Sequence, residues 1–206
     1  MDCPFLRPDH RDYPEILTDA TVHVLGAGGI DRWSVRALAR WMKVAPAAVL
    51  NDYSRSRVLE IVIICFERRW LAWSASEAMY GPSPTSLPLR LPVSEDEKLG
   101  VRVHGALRQL AEAERLRGNP APTAHLARLR REEHELLRHR LGQLAGRQGY
   151  HPPSTAAVTS TMALVTGLRM TLADPAADLD WSDACAALLQ HVTRHLEDAG
   201  RVDAAS

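Results

Sequence analysis

The chain has 206 residues, enough for one domain or a compact pair. Lys plus Arg and Asp plus Glu number 25 each, so bulk charge does not drive this protein onto nucleic acid or an anionic membrane. With 46% apolar and 24% charged residues, it has the composition of a folded globule and not of a disordered chain.

The pattern along the chain is helical almost throughout, and the expected fold class is all-α. Pro14 to Leu25 places Ile16, Leu17, Ala20, Val24 and Leu25 at helical spacing, and Gly26-Ala27-Gly28-Gly29 should stop that helix. Ser34 is a good N-cap for a short helix with Val35, Leu38, Ala39 and Met42 on one face. Pro46 fits the first turn of the next helix, Pro46 to Asn51. Ser54 or Ser56 caps a long helix from about Arg57 to Met79. Gly81 to Val93, with four prolines, reads as a connector.

Ser94 with Glu97 forms a capping-box signature that opens a helix to about Arg117. After the turn Gly118 to Pro122, the leucines from Leu126 to Leu144 mark a helix with a heavily charged outer face, ended by Gly146 and Gly149. Thr155 to Leu172 is apolar nearly all round, which predicts burial. Asp174-Pro175 breaks it, and Trp181 to Glu197 is the last helix, closed by Gly200.

Other chemistry is thinly represented. Cys3, Cys65 and Cys185 are far apart and form no CxxC pair, which suits a reducing cytoplasm. The charged N-terminus lacks the apolar core of a signal peptide, and no apolar run approaches the ~20 residues of a membrane span. His134 and His139 lie amid charges at a spacing of five, which does not put both on one helical face, so a charged solvated face is expected there and no metal. No catalytic triad, paired-carboxylate motif or phosphate-cradling loop is visible. The expectation is a non-enzyme without cofactor.

The sharpest local signal is a helix–turn–helix spacing, with Ala39, Val44 and Val49 at five-residue steps across the turn. Two short helices crossing steeply need a small residue at their contact and apolar plugs inside the turn. This leaves the second helix free to enter a major groove. A plain αα corner satisfies the same spacing.

The wider stretch carries more. It has Ala20 and Leu25 in the first helix, Gly29-Ile30, Ser34-Val35-Arg36, Ala39 and Val44 about the turn, then Tyr53 and Leu59. With these residues Ile16 to Val62 resembles the tetracycline-repressor family of bacterial transcriptional regulators. Beyond it, Gly167-Leu168-Arg169 with Asp174-Pro175 and a closing amphipathic helix look like the family's C-terminal half. Departures are Lys43 in place of a usual Gly, Ala45 in place of a Ser or Thr cap, Leu50 and Asp52 at backbone-contacting positions, and Ser56 for a common Lys. From Pro14 to Trp70 there are eight basic against six acidic residues.

The resemblance implies a helix–turn–helix domain over residues 1–70 and a ligand-binding and dimerisation domain over residues 71–206. Its implied function is a ligand-responsive transcriptional regulator, a repressor that binds a palindromic operator as a homodimer through its last two helices. Double-stranded DNA would meet Ser34, Ala47, Ala48, Asn51, Arg55 and Arg57. A small apolar or amphipathic effector would bind near Trp70, Trp73 and Tyr80, with His104, Met162 and Thr166 as further lining. The alternative is a helical dimer that has lost DNA binding and acts as a small-molecule or protein-binding module, a reading that Asp52 and Ala45 favour.

Overall fold

The computed structural model describes residues 5, 12–76 and 89–201, apart from the side chain of Asp52. These residues form eight α-helices and one 3-10 turn, Ile30–Arg32. Extended structure among them is limited to one isolated bridge between Tyr150 and Arg201. The helices are α1 (Tyr13–Gly28), α2 (Val35–Met42), α3 (Pro46–Asp52), α4 (Arg55–Ala75), α5 (Glu95–Leu116), α6 (Ala121–Gln148), α7 (Thr155–Ala173) and α8 (Trp181–Ala199). The fold is all-α.

The caps expected at Ser34 and Ser94 are present: each accepts a hydrogen bond from a backbone N–H three residues on, and Ser94 with Glu97 completes the reciprocal capping box. Ser154 caps α7 in the same way, a cap not read from the sequence. Asp180 does the same for α8. Of the two serines proposed for α4, Ser54 is the cap: its Oγ accepts from the Arg57 N–H at 3.2 Å.

α1 ends inside the Gly26–Gly29 stretch as expected: it closes at Gly28, and Gly29 caps it at φ 67°. Other helix ends differ from expectation. α6 begins at Ala121 and continues past Gly146 to Gln148, so its first turn is drawn from Ala, Pro and Thr residues that carry no leucine period. α4 ends at Ala75; Met79 and Tyr80 lie outside the described residues.

The chain divides into two compact units, Met1–Trp73 with Ser94–Leu129, and Ser74–Val93 with Arg130–Ser206. The sequence reading placed a single break after residue 70; the division is discontinuous, with α4 and α6 each contributing to both units. The second unit has a core of Leu137, Leu141 and Ala145 from α6, Val158, Met162, Val165 and Leu172 from α7, and Ala184, Leu188, Val192 and Leu196 from α8. Contrary to the expectation that no apolar run approaches a membrane span, α7, with 19 residues, is long and apolar enough to cross a membrane by length and composition. It uses one side as a core helix and exposes the other, with Ala156, Thr159, Ala163, Thr166 and Met170 facing outward. The expected all-round burial is therefore half met within the chain.

Each unit also buries an arginine. In the second, Arg169 donates to Glu133 Oε1 at 2.9 Å, to Ser74 Oγ at 3.0 Å and to the Arg90 carbonyl at 2.9 Å, so a guanidinium held out of water has its donors met. In the first, Arg69 of α4 is 2% exposed. It donates to Asp19 at 2.6 Å, to the Glu15 carboxylate from Nε at 3.0 Å, and to the Phe5 carbonyl. This cluster binds α4 to α1. Removing one partner from a buried ion pair typically costs about 3–5 kcal/mol, because the remaining charges stay buried. Arg69→Ala, which strands two carboxylates, should lower the unfolding free energy in urea by about that amount. A loss under about 1 kcal/mol would show that the cluster contributes little.

Candidate functional site

α2, the turn and α3 form the helix–turn–helix. Leu38 and Ala39 of α2 and Val49 of α3 are buried, as the spacing requires. Val44, the turn residue expected to plug the corner, is instead 40% exposed; its N–H donates to the Ala39 carbonyl at 3.0 Å and closes the end of α2. Lys43 adopts φ 58° and ψ 37°, the left-handed conformation that favours Gly. Ala45 sits in extended geometry at the N-cap of α3 and supplies no side-chain bond, while Pro46 occupies the first turn. Burying Val49 turns Ala47, Ala48, Leu50 and Asn51 to solvent. That face is small and weakly polar, and Leu50 is 49% exposed.

Two positively charged side chains flank it at the start of α4. The Arg55 guanidinium lies over the Trp33 ring, 5.5 Å from its centroid, a cation–π contact that fixes the side chain while leaving it exposed. Arg57 is half exposed and pairs with Glu60 at 2.8 Å, so part of its charge is already engaged. That hydrogen bond holds the Glu60 carboxyl below its usual range, against the opposing effect of burial. Ser56, between the arginines, donates to Glu114 of α5. Ser34 is exposed, but its Oγ is committed to the Ala37 N–H at 3.1 Å.

Charge is distributed unevenly over the sequence segment. Of the six acids between Pro14 and Trp70, Glu15, Asp19 and Glu67 are buried, two of them with Arg69 and one beside Arg128. Between Ile30 and Arg57 there are six basic residues, Arg32, Arg36, Arg40, Lys43, Arg55 and Arg57, all solvent-exposed, against Asp31 and Asp52. The near balance counted over the whole segment therefore understates the positive charge presented around α3.

The residues suggested for an effector fall in two groups. Trp70, Trp73 and His104 come together in the first unit: the Trp70 ring lies 4.0 Å from His104 and 5.1 Å from Trp73, centroid to centroid. Two residues that the sequence reading missed complete this cluster, Phe66 and Phe5. Phe5 is fully buried, with its ring 5.5 Å from Phe66, 6.0 Å from Trp70 and 5.6 Å from Trp73. Its ring lies against Gly100 of α5, where a Cβ would sit 2.0 Å away, so only glycine leaves it room. Phe66 falls on the Trp70 face of α4 at a spacing of four, a signal present in the sequence.

Met162 and Thr166 belong to the second unit. Met162 is part of its core, and Thr166 faces solvent with its hydroxyl donating to the Met162 carbonyl at 2.9 Å. Tyr80 lies outside the described residues. His134 and His139 also go separate ways, to Thr159 and Gln143.

No family model matches the chain, and no curated protein matches it in sequence. Among solved structures, the chain is similar to the crystal structure of a transcriptional regulator from Rhodococcus sp. Rha1. The two share 21% identity over 93% of this chain and 100% of that one, with a TM-score of 0.69. At that identity the likeness is one of fold, and function must be argued from the site.

The strained turn generates a stability prediction. Lys43→Gly relieves a left-handed residue, and Ala45→Ser supplies the missing cap. Each should raise the unfolding free energy by about 1 kcal/mol. Thermal denaturation of the two variants reads this directly, and a fall in both would contradict the geometry described for the turn.

Proposed function

We propose that this protein is a DNA-binding transcriptional regulator that docks α3 in the major groove. The observation that carries the reading is the pairing of an exposed, small-residue face on α3 with six exposed cations between Ile30 and Arg57. Small side chains let a helix lie close to base edges, and the arginines beside it meet phosphates. Ala47, Ala48 and Asn51 face the bases, and Asn51 can pair with adenine. Arg55 and Arg57 hold the backbone, and the α2 N-terminus at Ser34 adds a further phosphate contact.

A second copy of the chain completes the DNA-binding unit. The outward face of α7 is lined with Ala156, Thr159, Ala163, Thr166 and Met170, small or apolar positions that allow close helix packing. With α8 it makes half of an intermolecular four-helix bundle. Two recognition helices then reach successive major grooves only near one helical turn of separation, about 34–36 Å.

The effector site in this reading is the aromatic cluster of Phe66, Trp70, Trp73 and His104. Phe5 occupies its centre, so an apolar ring-containing effector binds by taking the place of the Phe5 side chain. α4 carries the cluster and, at its start, Arg55 and Arg57. An effector that prefers one position of α4 weakens DNA binding by its differential affinity for the two states.

Three outcomes test this reading. Arg57→Ala should weaken binding to all duplexes alike and reduce the salt slope by about 0.9 per subunit, Asn51→Ala should change preference among sequences, and Asp52→Lys should strengthen binding generally. If wild type and Asp52→Lys both leave duplex DNA unbound at low salt, the reading fails and the binding-module alternative takes its place.

Ala163→Arg should split the dimer in sedimentation while helicity is retained. Val165 is unsuited to that test, because it is fully buried in the second unit's own core and a charge there would unfold it. A stable wild-type monomer at micromolar concentration would remove the dimer. Phe5→Ala should cost about 3–5 kcal/mol of stability. Indole should restore part of it and quench or shift the tryptophan fluorescence in the variant more than in wild type; no difference between the two would contradict the exchange.

A further inference from the structure

Two histidines of α8, the helix that the proposed dimer shares with α7, have no role in the readings above. His191 and His195 stand four residues apart, one helical turn, with ring centroids 4.5 Å from each other and planes at 82°. Both rings are half buried. Both Nε2 atoms point to one atom of the neighbouring helix α7, the Ser160 hydroxyl oxygen, at 3.4 Å from His191 and 2.9 Å from His195. Ser160 Oγ also donates to the Ala157 carbonyl at 3.0 Å, which uses its one proton and leaves two lone pairs toward the imidazoles.

We propose that His191 and His195 chelate one divalent transition-metal ion of borderline softness, such as Zn²⁺, with Ser160 as the oxygen beside it. Imidazole nitrogens suit zinc, nickel and copper, and zinc sits about 2.0–2.1 Å from such a nitrogen. A tetrahedral ion so placed needs its two nitrogens about 3.3 Å apart. The two rings, one turn apart, direct their Nε2 atoms at a single oxygen, and with the ring protons held on Nδ1 both nitrogens offer a lone pair to an ion beside that oxygen. The other positions fall to water and the hydroxyl, since no group of three or more His, Cys, Asp or Glu that could hold a metal occurs among the described residues. Two imidazoles therefore set micromolar affinity, unlike a closed four-ligand structural site. The rings bridge α8 to α7, so the ion ties the two helices together.

The test is calorimetric titration of the tag-free full chain with zinc chloride at neutral pH. Wild type should take up one zinc per chain at a saturable micromolar site. His191→Gln and His195→Gln keep a hydrogen-bonding side chain opposite Ser160 but remove the ligand, and each should abolish that uptake with the far-ultraviolet spectrum unchanged. Ser160→Ala should weaken binding about tenfold, as loss of a supporting partner does. His134→Gln and His139→Gln should leave binding as it is. The absence of saturable uptake by wild type, or wild-type uptake by either His191→Gln or His195→Gln, would overturn the proposal.

Discussion

The Arg69 guanidinium is the contact on which the first unit depends. It sits on α4, reaches both Glu15 and Asp19 on α1, and caps the carbonyl of Phe5. An arginine held at 2% exposure is stable only with its donors met and its charge opposed, so the positions of α1 and of Phe5 are set together with that of α4. The cluster holds two carboxylates to one guanidinium. This also removes two acids from the surface and leaves the segment around α3 more positive than its composition suggests.

α4 then connects three features of one unit. Arg55 and Arg57 stand at its start, Arg69 lies in its later half, and Phe66, Trp70 and Trp73 surround the Phe5 ring. In the proposed mechanism, exchange at the aromatic cluster moves the same helix that carries the phosphate-facing arginines. Gly100 belongs to this arrangement. A glycine inside α5 costs helix stability by about 0.5–1 kcal/mol relative to alanine, and the space it opens is filled by Phe5.

Much of this was legible in the chain itself. Ser34 and Ser94 announce their helices because capping is a local bond between a side chain and a backbone N–H three residues on. Lys43 was legible as a left-handed residue through its resemblance position, and the structure has it at φ 58°. Gly29 and Gly149 stand at positive φ where α1 and α6 end, while Gly146 lies inside α6, since a glycine stops a helix only where the backbone turns left-handed. Phe5 was beyond reach: nothing local says that an N-terminal ring returns to a helix more than sixty residues away. Which side of α7 faces its own core was not legible, because the helix is apolar nearly all round and its periodicity does not separate Val158, Met162 and Val165 from the exposed Thr166. His191 and His195 have a visible spacing, but their convergence depends on Ser160 from another helix.

The most direct test of the central claim is selection from a random pool of duplex DNA by the full chain at low salt, followed by sequencing of what is retained. A dimer with paired recognition helices should enrich an inverted repeat whose half-sites lie about 10–10.5 base pairs apart, centre to centre, or a multiple of that spacing. Retention that follows charge alone with no enriched sequence, or no retention, would contradict that claim.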